Sequence, residues 1–129
     1  MSYTVKERTP EQIKAMNEGQ HQKEVVVWFW NTYRDFRGLL YHNYSNPKNK
    51  IDGAMLVGLG LVKGNPDLTL AVMRGGFGAL YLEMKKVGER PRPEQVKQMA
   101  KLEAAGYLVK WADNYTDAID IIKNYLSLE

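Results

Sequence analysis

The chain contains no cysteine, so disulfide bonds and thiolate metal sites are both excluded. It also lacks a long hydrophobic run. The longest apolar stretches lie at 25–30 and at 54–62, and both are too short to cross a bilayer. The N-terminal residues lack the apolar core of a secretory signal. We therefore expect a soluble, cytoplasmic or otherwise intracellular protein with no membrane partner.

Neither sign of charge dominates, because the net charge is only +3 over 129 residues. Hydrophobic residues at 44% and charged residues at 26% are ordinary for a globular protein and argue against disorder. No repeat, low-complexity segment or long linker divides the chain. The sequence predicts one domain, 1–129, in which residues 1–20 form an N-terminal helical extension.

Capping and turn residues predict the order α, α, β, α, β, β, α, β, α. Thr9 and Pro10 begin a short helix that ends near Gly19, and Asn46-Pro47 ends the first strand. The predicted fold class is α/β, a mixed four-stranded sheet flanked by helices, with a parallel β-α-β crossover from Glu83 to Tyr107. The remaining predicted helices cover 21–36, 50–62, 93–105 and a last segment to 126; the strands cover 39–45, 67–72, 79–85 and 107–112.

The segment 63–85 carries the candidate chemistry. Asp67 opens one predicted strand, and Glu83 and Lys85 lie two apart near the end of the next, so these last two project from the same face. A Gly-rich turn at 74–78 makes the two strands antiparallel, which carries Asp67 toward Glu83 and Lys85.

Asp67 and Glu83 offer the hard oxygen ligands that Mg²⁺ or Mn²⁺ prefers, and the backbone carbonyl of Met84 is a natural further ligand. Such an ion polarises a phosphate and activates water, while Lys85 positions or deprotonates that water, or neutralises charge on phosphorus. The pattern alone leaves a plain alternative open. Many solvated strands end in Glu-x-Lys, and an Asp after Pro66 is an ordinary turn residue.

Basic residues outnumber acidic ones between 85 and 101, and a basic surface beside carboxylates suits a polyanionic substrate. The alternative is a solvated helix face with its usual lysines. The residues predicted to bind such a substrate, DNA if the chain is a nuclease, are Lys63, Lys86, Arg90, Arg92 and Lys97.

Taken together and in order, Gly64-Asn65-Pro66-Asp67-Leu68, Leu82-Glu83-Met84-Lys85, Pro93-Glu94-Gln95 and 102–107 (LEAAGY) strongly resemble the VRR-NUC family of the PD-(D/E)xK nuclease superfamily. The resemblance covers about residues 22–126. It implies the restriction-endonuclease-like αβββαβ core and a divalent-metal-dependent endonuclease that hydrolyses DNA phosphodiester bonds.

Position by position, the resemblance assigns Asp67 and Glu83 to metal binding and Lys85 to catalysis. It assigns Gln95 to support of the site and Glu24, on an early helix, to the same metal centre. Arg92 departs from the family, which often has a helix-capping Ser three residues before the glutamine. Arg92 cannot accept the same backbone bonds.

The apolar run Val25–Trp30 occupies all sides of its predicted helix. This apolar surface is larger than one small sheet readily buries. We therefore expect a homodimer through this helix, with the Gly-rich segment 54–62 as a second contact. Two symmetric sites suit a four-way (Holliday) junction, and the resemblance implies a resolvase of the kind that phages often encode. The alternatives are a nuclease for flaps, forks or ordinary duplex, and a non-catalytic DNA-binding module.

Overall fold

The computed structural model describes residues 3–44 and 50–129, and its elements follow the predicted order. The helices are α1 (Pro10–Ala15), α2 (Glu18–Thr32), α3 (Lys50–Gly58), α4 (Pro93–Ala104) and α5 (Tyr115–Leu126), and a short 3₁₀ turn (Arg34–Phe36) follows α2. The strands are β1 (Leu40–His42), β2 (Leu68–Leu70), β3 (Leu80–Met84) and β4 (Leu108–Ala112). The predicted extension of the first strand to Ser45, and its end at Asn46-Pro47, lie outside the described residues.

The strands form one four-stranded sheet in the order β1-β2-β3-β4. The β1–β2 and β2–β3 pairs are antiparallel, whereas β3 and β4 are parallel and joined through α4. The sheet is therefore mixed, and the predicted α/β class and parallel β-α-β step are confirmed.

The β2–β3 connection brings the candidate residues together as predicted. Arg74 and Phe77 exchange backbone hydrogen bonds at 3.2 and 2.8 Å across Gly75 and Gly76. Both glycines have positive φ, 58° and 82°, as a type I′ turn requires. Leu68 pairs with Leu82, so one further step along the ladder places Asp67 opposite Glu83.

The hydrophobic core lies between α2, α5 and the sheet face that carries the leucines of β2 and β3. Val25, Trp28 and Phe29 of α2 are buried in that core, while Trp30 remains 49% exposed. The monomer's own core thus covers much of the apolar run. This removes the reason for assigning α2 to a dimer interface, because the sheet and α5 supply the burial that the sequence argument found missing.

Several predicted helix boundaries are wrong, and one of them matters for the site. Helix α1 ends at Ala15 instead of near Gly19, and α2 ends at Thr32 instead of Phe36. Residues Asn17 and Gln20 form a capping box, with reciprocal hydrogen bonds of 2.8 Å, so α2 begins at Glu18 instead of His21. The first turn of α2 therefore lies within the segment 1–20 that the sequence assigned to an extension. Separately, α3 ends at Gly58 instead of Val62, since Gly60 adopts a φ of +106° that a helix cannot continue through.

Across the described ranges 3–44 and 50–129, no helix is long and apolar enough to span a membrane.

Candidate metal centre

Asp67 is fixed at the start of β2 by the neighbouring strand. Its Oδ2 accepts a hydrogen bond from the backbone N–H of Met84 at 2.8 Å, and the residue is buried. Pro66, also buried, precedes it with a constrained φ. The contact holds Asp67 against the end of β3, beside the residues with which the sequence grouped it.

Glu83 is a buried carboxylate with an incomplete set of partners. It is 1% exposed, and neither of its side-chain oxygens has a hydrogen-bond partner among the residues that the structure describes. Leaving such acceptors unpaired is costly in a folded protein. A group that is missing from the polypeptide itself, such as a cation, is therefore the natural partner of these oxygens.

A third carboxylate completes the cluster, and sequence reasoning did not select it. One carboxylate oxygen from each of Glu18, Asp67 and Glu83 lies within 4.8 Å of the others. Glu18 reaches the cluster because the Asn17 cap begins α2 at this residue. The Asn17–Gln20 capping box was the sequence signal that could have found it.

Glu24, the acidic residue that the resemblance assigned to the metal, lies elsewhere. Its Oε2 pairs with the Arg8 guanidinium at 3.1 Å, and both residues line a separate, shallower pocket with Met16 and Val27. Residues six apart on a helix face different directions at 100° per residue. Glu18 therefore lies in the carboxylate cluster, whereas the structure places Glu24 of the same helix away from it, beside Arg8.

The clustered acids disfavour one another's ionisation. Burial, reinforced by the neighbouring Asp67 carboxylate, raises the pKa of Glu83 to about 9, although the Lys85 ammonium opposes this rise. Burial and the Asp67 charge also raise the pKa of Glu18. Several carboxylates held close together in this way suit a divalent cation, whose charge would relieve their mutual repulsion.

Lys85 follows Glu83 by two residues and is also buried, at 5% exposure. Its backbone N–H donates to the Ala112 carbonyl at 2.8 Å, which continues the β3–β4 ladder past the strand's end. The side chain lines the same cavity as Asp67 and Glu18. The predicted grouping of Asp67, Glu83 and Lys85 at one end of the hairpin is therefore what the structure contains.

Gln95 occupies the first turn of α4 and lines this cavity. Its Oε1 accepts a hydrogen bond from the Arg92 backbone N–H at 2.8 Å, so the Gln95 side chain helps to cap the N-terminus of α4. In the described part of the chain the Arg92 side chain makes no cap hydrogen bond, as its chemistry requires, and its guanidinium pairs with Glu94 at 3.0 Å. With Oε1 engaged, the amide nitrogen is the group that Gln95 can offer to the cavity.

Position 64, in the loop before β2, requires a glycine for its backbone conformation and for its close packing. Its φ is +80°, and a Cβ built there would lie 2.6 Å from the Glu94 carbonyl oxygen. The loop before β2 therefore packs directly against the first turn of α4. The contact therefore joins the loop that leads to Asp67 with the helix turn that carries Gln95.

The cavity has a volume of about 720 Å³. Its lining combines the acidic Glu18 and Asp67 with the basic Lys63, Lys85 and Arg92. Val57 of α3 and Leu61 of the following loop add apolar groups to the lining. His42 also lines the cavity, with Nδ1 2.9 Å from the Gln22 amide nitrogen, whereas the buried His21 accepts the Tyr115 backbone N–H.

The predicted DNA-binding residues fall into two groups. Lys63 and Arg92 line the cavity, which places two cations at its mouth. The other three lie on the loop after β3 and on α4, outside the cavity lining: Lys86, Arg90 and Lys97.

Comparison with known proteins gives a structural match. No protein-family model matches the sequence, and no curated protein matches it. Among solved structures, the chain is similar to one described as a VRR_NUC domain protein, with a TM-score of 0.74 and 24% identity. The match covers 88% of this chain and 91% of the other, so the two share their fold over nearly their whole length.

Proposed function

We propose that this chain is a VRR-NUC-type nuclease that hydrolyses DNA phosphodiester bonds with a divalent metal ion. We further propose that it acts inside the cell. The observation that carries the proposal is the cluster of Glu18, Asp67 and Glu83, whose oxygens lie within 4.8 Å of one another beside the buried Lys85. The shared fold and the Asp67…Glu83-x-Lys85 pattern support it from independent directions.

The residues present fit a metal ion, because the buried Glu83 oxygens have no hydrogen-bond partner among the described residues and the pKa of Glu83 is raised. A cation would supply both a partner for these oxygens and a compensating charge. Glu18, Asp67 and Glu83 would hold the ion, and the Met84 carbonyl is the proposed backbone ligand. All are hard oxygen donors, which favours Mg²⁺ or Mn²⁺. When bound, such an ion polarises the phosphate and lowers the pKa of water.

In the proposed reaction a water molecule gives up a proton to solvent as its oxygen bonds to phosphorus, one phosphorus–oxygen ester bond breaks, and the leaving oxygen takes up a proton from solvent. The Lys85 ammonium donates a hydrogen bond to the attacking water or to a phosphate oxygen, which stabilises charge that develops there. Gln95 offers its amide nitrogen to the same cavity and holds the first turn of α4 in place.

The basic residues would bind the DNA backbone around this centre. Lys63 and Arg92, at the cavity mouth, are positioned to contact the phosphates nearest the cleaved bond. Lys86, Arg90 and Lys97 would contact phosphates farther along the strand. Because such contacts release counterions, binding should weaken steeply with salt.

We further propose that the nuclease acts as a homodimer that resolves four-way junctions. Helix α3 and the loop after it carry an exposed apolar stripe, with Ile51 84%, Met55 59% and Leu59 79% exposed. These residues recur at i, i+4 and i+8, so they occupy one face of the helix and its continuation. A second copy of this chain is the proposed partner of this α3 stripe, and the pair would present two metal centres to a two-fold substrate.

A cleavage assay tests the function. Purified protein is incubated with four-way junction, flap and linear duplex, each with Mg²⁺, with Mn²⁺ and with chelator. We expect metal-dependent cutting with the junction preferred, and loss of cutting in Asp67→Ala and Glu83→Ala with folding retained. Absence of cutting on every substrate would favour a non-catalytic DNA-binding module. Equal cutting of linear duplex, or preference for flaps, would reject junction selectivity while keeping the nuclease.

A further inference from the structure

Asn43, just beyond the end of β1, makes a set of contacts centred on Asp67. Its backbone N–H donates to the Asp67 carbonyl at 2.7 Å. Its side-chain Nδ2 donates to the Pro66 carbonyl at 3.0 Å and to the Thr69 hydroxyl at 2.7 Å. Both hydrogens of the amide are thus engaged on the strand that carries Asp67.

These contacts hold the backbone on both sides of the Asp67 Cα. The Pro66 carbonyl belongs to the peptide unit before Asp67, and the Asp67 carbonyl belongs to the unit after it. Fixing both units fixes φ and ψ of Asp67, and therefore the direction of its Cα–Cβ bond. On the far side, the Met84 N–H holds Oδ2 at 2.8 Å, so the carboxylate is restrained from two neighbouring strands.

We infer that Asn43 is a positioning residue, which sets the Asp67 carboxylate in the geometry that binds the metal ion. The inference rests on the proposed nuclease function. Catalytic geometries tolerate errors of only about 0.5 Å, and partners of metal ligands that do not themselves touch the metal commonly govern affinity. A purely structural role, fastening the edge strand β1 to β2, would affect stability and leave metal binding alone.

The principal test is Asn43→Ala, which removes both side-chain bonds and keeps the backbone bond to Asp67. Two quantities are measured: the Mg²⁺ concentration that gives half-maximal cleavage, and Mn²⁺ binding without DNA, by electron paramagnetic resonance. We expect both to shift about 10- to 100-fold toward weaker binding, the range for partners of metal ligands. The cleavage rate at saturating metal should approach that of the unaltered protein.

Asn31→Ala is the matched control. Asn31 also donates its amide to a backbone carbonyl, that of Val27 at 2.8 Å, but it lies near the far end of α2 and outside the cavity lining. It should lose stability without any change in metal dependence. Thr69→Val, which removes one acceptor and keeps the Asn43–Pro66 bond, should give a smaller shift, and it carries the test if Asn43→Ala does not fold.

The outcomes separate the two proposals. If the unaltered protein binds Mn²⁺ and cuts DNA, but the Asn43 and Thr69 variants show unchanged metal dependence, the positioning role is overturned and the nuclease stands. If the unaltered protein neither binds Mn²⁺ nor cuts, both are overturned. A shift in metal dependence confined to the Asn43 and Thr69 variants supports the positioning role.

Discussion

Glu18 in the first turn of α2 and Asp67 at the start of β2 bring carboxylate oxygens within 4.8 Å of each other, whereas Glu24 of the same helix pairs with Arg8. A comparison of glutamine variants follows directly. Glu18→Gln should lower cleavage at limiting Mg²⁺ by at least about 10- to 100-fold, the loss typical even of groups that only support a ligand. Glu24→Gln should cut normally and cost about 1 kcal/mol of stability through its ion pair.

Initial rates over a range of Mg²⁺ concentrations, together with thermal melts, measure both effects. If Glu24→Gln lost activity and Glu18→Gln kept it, the assignment by family resemblance would be restored and the structural one rejected.

The raised pKa of Glu83 should make the free energy of unfolding depend on pH. Its pKa in the folded protein is raised to about 9, whereas an ordinary glutamate titrates near 4.5, so the folded state holds the proton more tightly than the unfolded chain. The free energy of unfolding should therefore fall as pH rises from about 4.5 to about 9, because ionising this buried group becomes increasingly unfavourable.

Glu83→Gln removes that titration. In chelator, its melting temperature should exceed that of the unaltered protein by a margin that grows with pH, while Glu103→Gln, an exposed control on α4, should follow the unaltered protein. Added Mn²⁺ should stabilise the unaltered protein and have little effect on Glu83→Gln. Parallel melting profiles of Glu83→Gln and the unaltered protein across this pH range would contradict the argument.

Much of the fold was predictable because its signals are local. The capping residues Thr9 and Pro10, the glycines of the 74–78 turn and the alternation along β3 each determine one element without help from the rest of the chain. The pairing of Asp67 with Glu83 and Lys85 followed from a hairpin, the simplest long-range contact that a sequence can encode.

What the sequence did not predict depends on tertiary packing. Glu18 and Glu24 lie on different faces of the same helix, α2. The first turn of α2 was missed because the predicted helix began too late. The late start left Glu18 out of the candidate residues, whereas Glu24 was taken from the family resemblance. The extent of burial of Val25, Trp28 and Phe29 could not be predicted either, because it depends on α5, which comes from the opposite end of the chain.

Gly64 should be intolerant of alanine for two separable reasons. Its φ of +80° strains any residue with a Cβ, by about 1–2 kcal/mol, and that Cβ would also clash with the Glu94 carbonyl of α4. Gly38 has a nearly equal φ of +89°, and a Cβ added there would meet nothing within 4 Å among the described residues, so it offers the strain without the clash.

We expect Gly38→Ala to lose stability and keep its cleavage rate per folded molecule. Gly64→Ala should lose both, since displacing the first turn of α4 moves Gln95 and Arg92 away from the centre. Thermal melts and cleavage rates normalised to folded protein measure the difference. Equal activity of the two variants would mean that the contact between the Gly64 loop and α4 does not set the geometry of the site.

The proposed dimer can be tested with two methionines. Met55 lies in the α3 stripe and is 59% exposed, and Met73, in the loop between β2 and β3, is 74% exposed. Met55→Glu places a charge in the proposed interface, where desolvating it is costly, and should yield monomers. Met73→Glu adds the same charge to a surface outside the stripe and should leave dimers intact. Light scattering coupled to size-exclusion chromatography at micromolar protein distinguishes the states.

Junction cleavage gives the dimer a second, functional readout. If two copies meet through the α3 stripe, Met55→Glu should lose junction cleavage more than duplex nicking, because the metal centre of each monomer stays whole while the two-fold pair is lost. Met73→Glu should keep both activities. An unaltered protein that runs as a monomer, or a Met55→Glu variant that stays dimeric, would exclude the α3 stripe as the contact between copies.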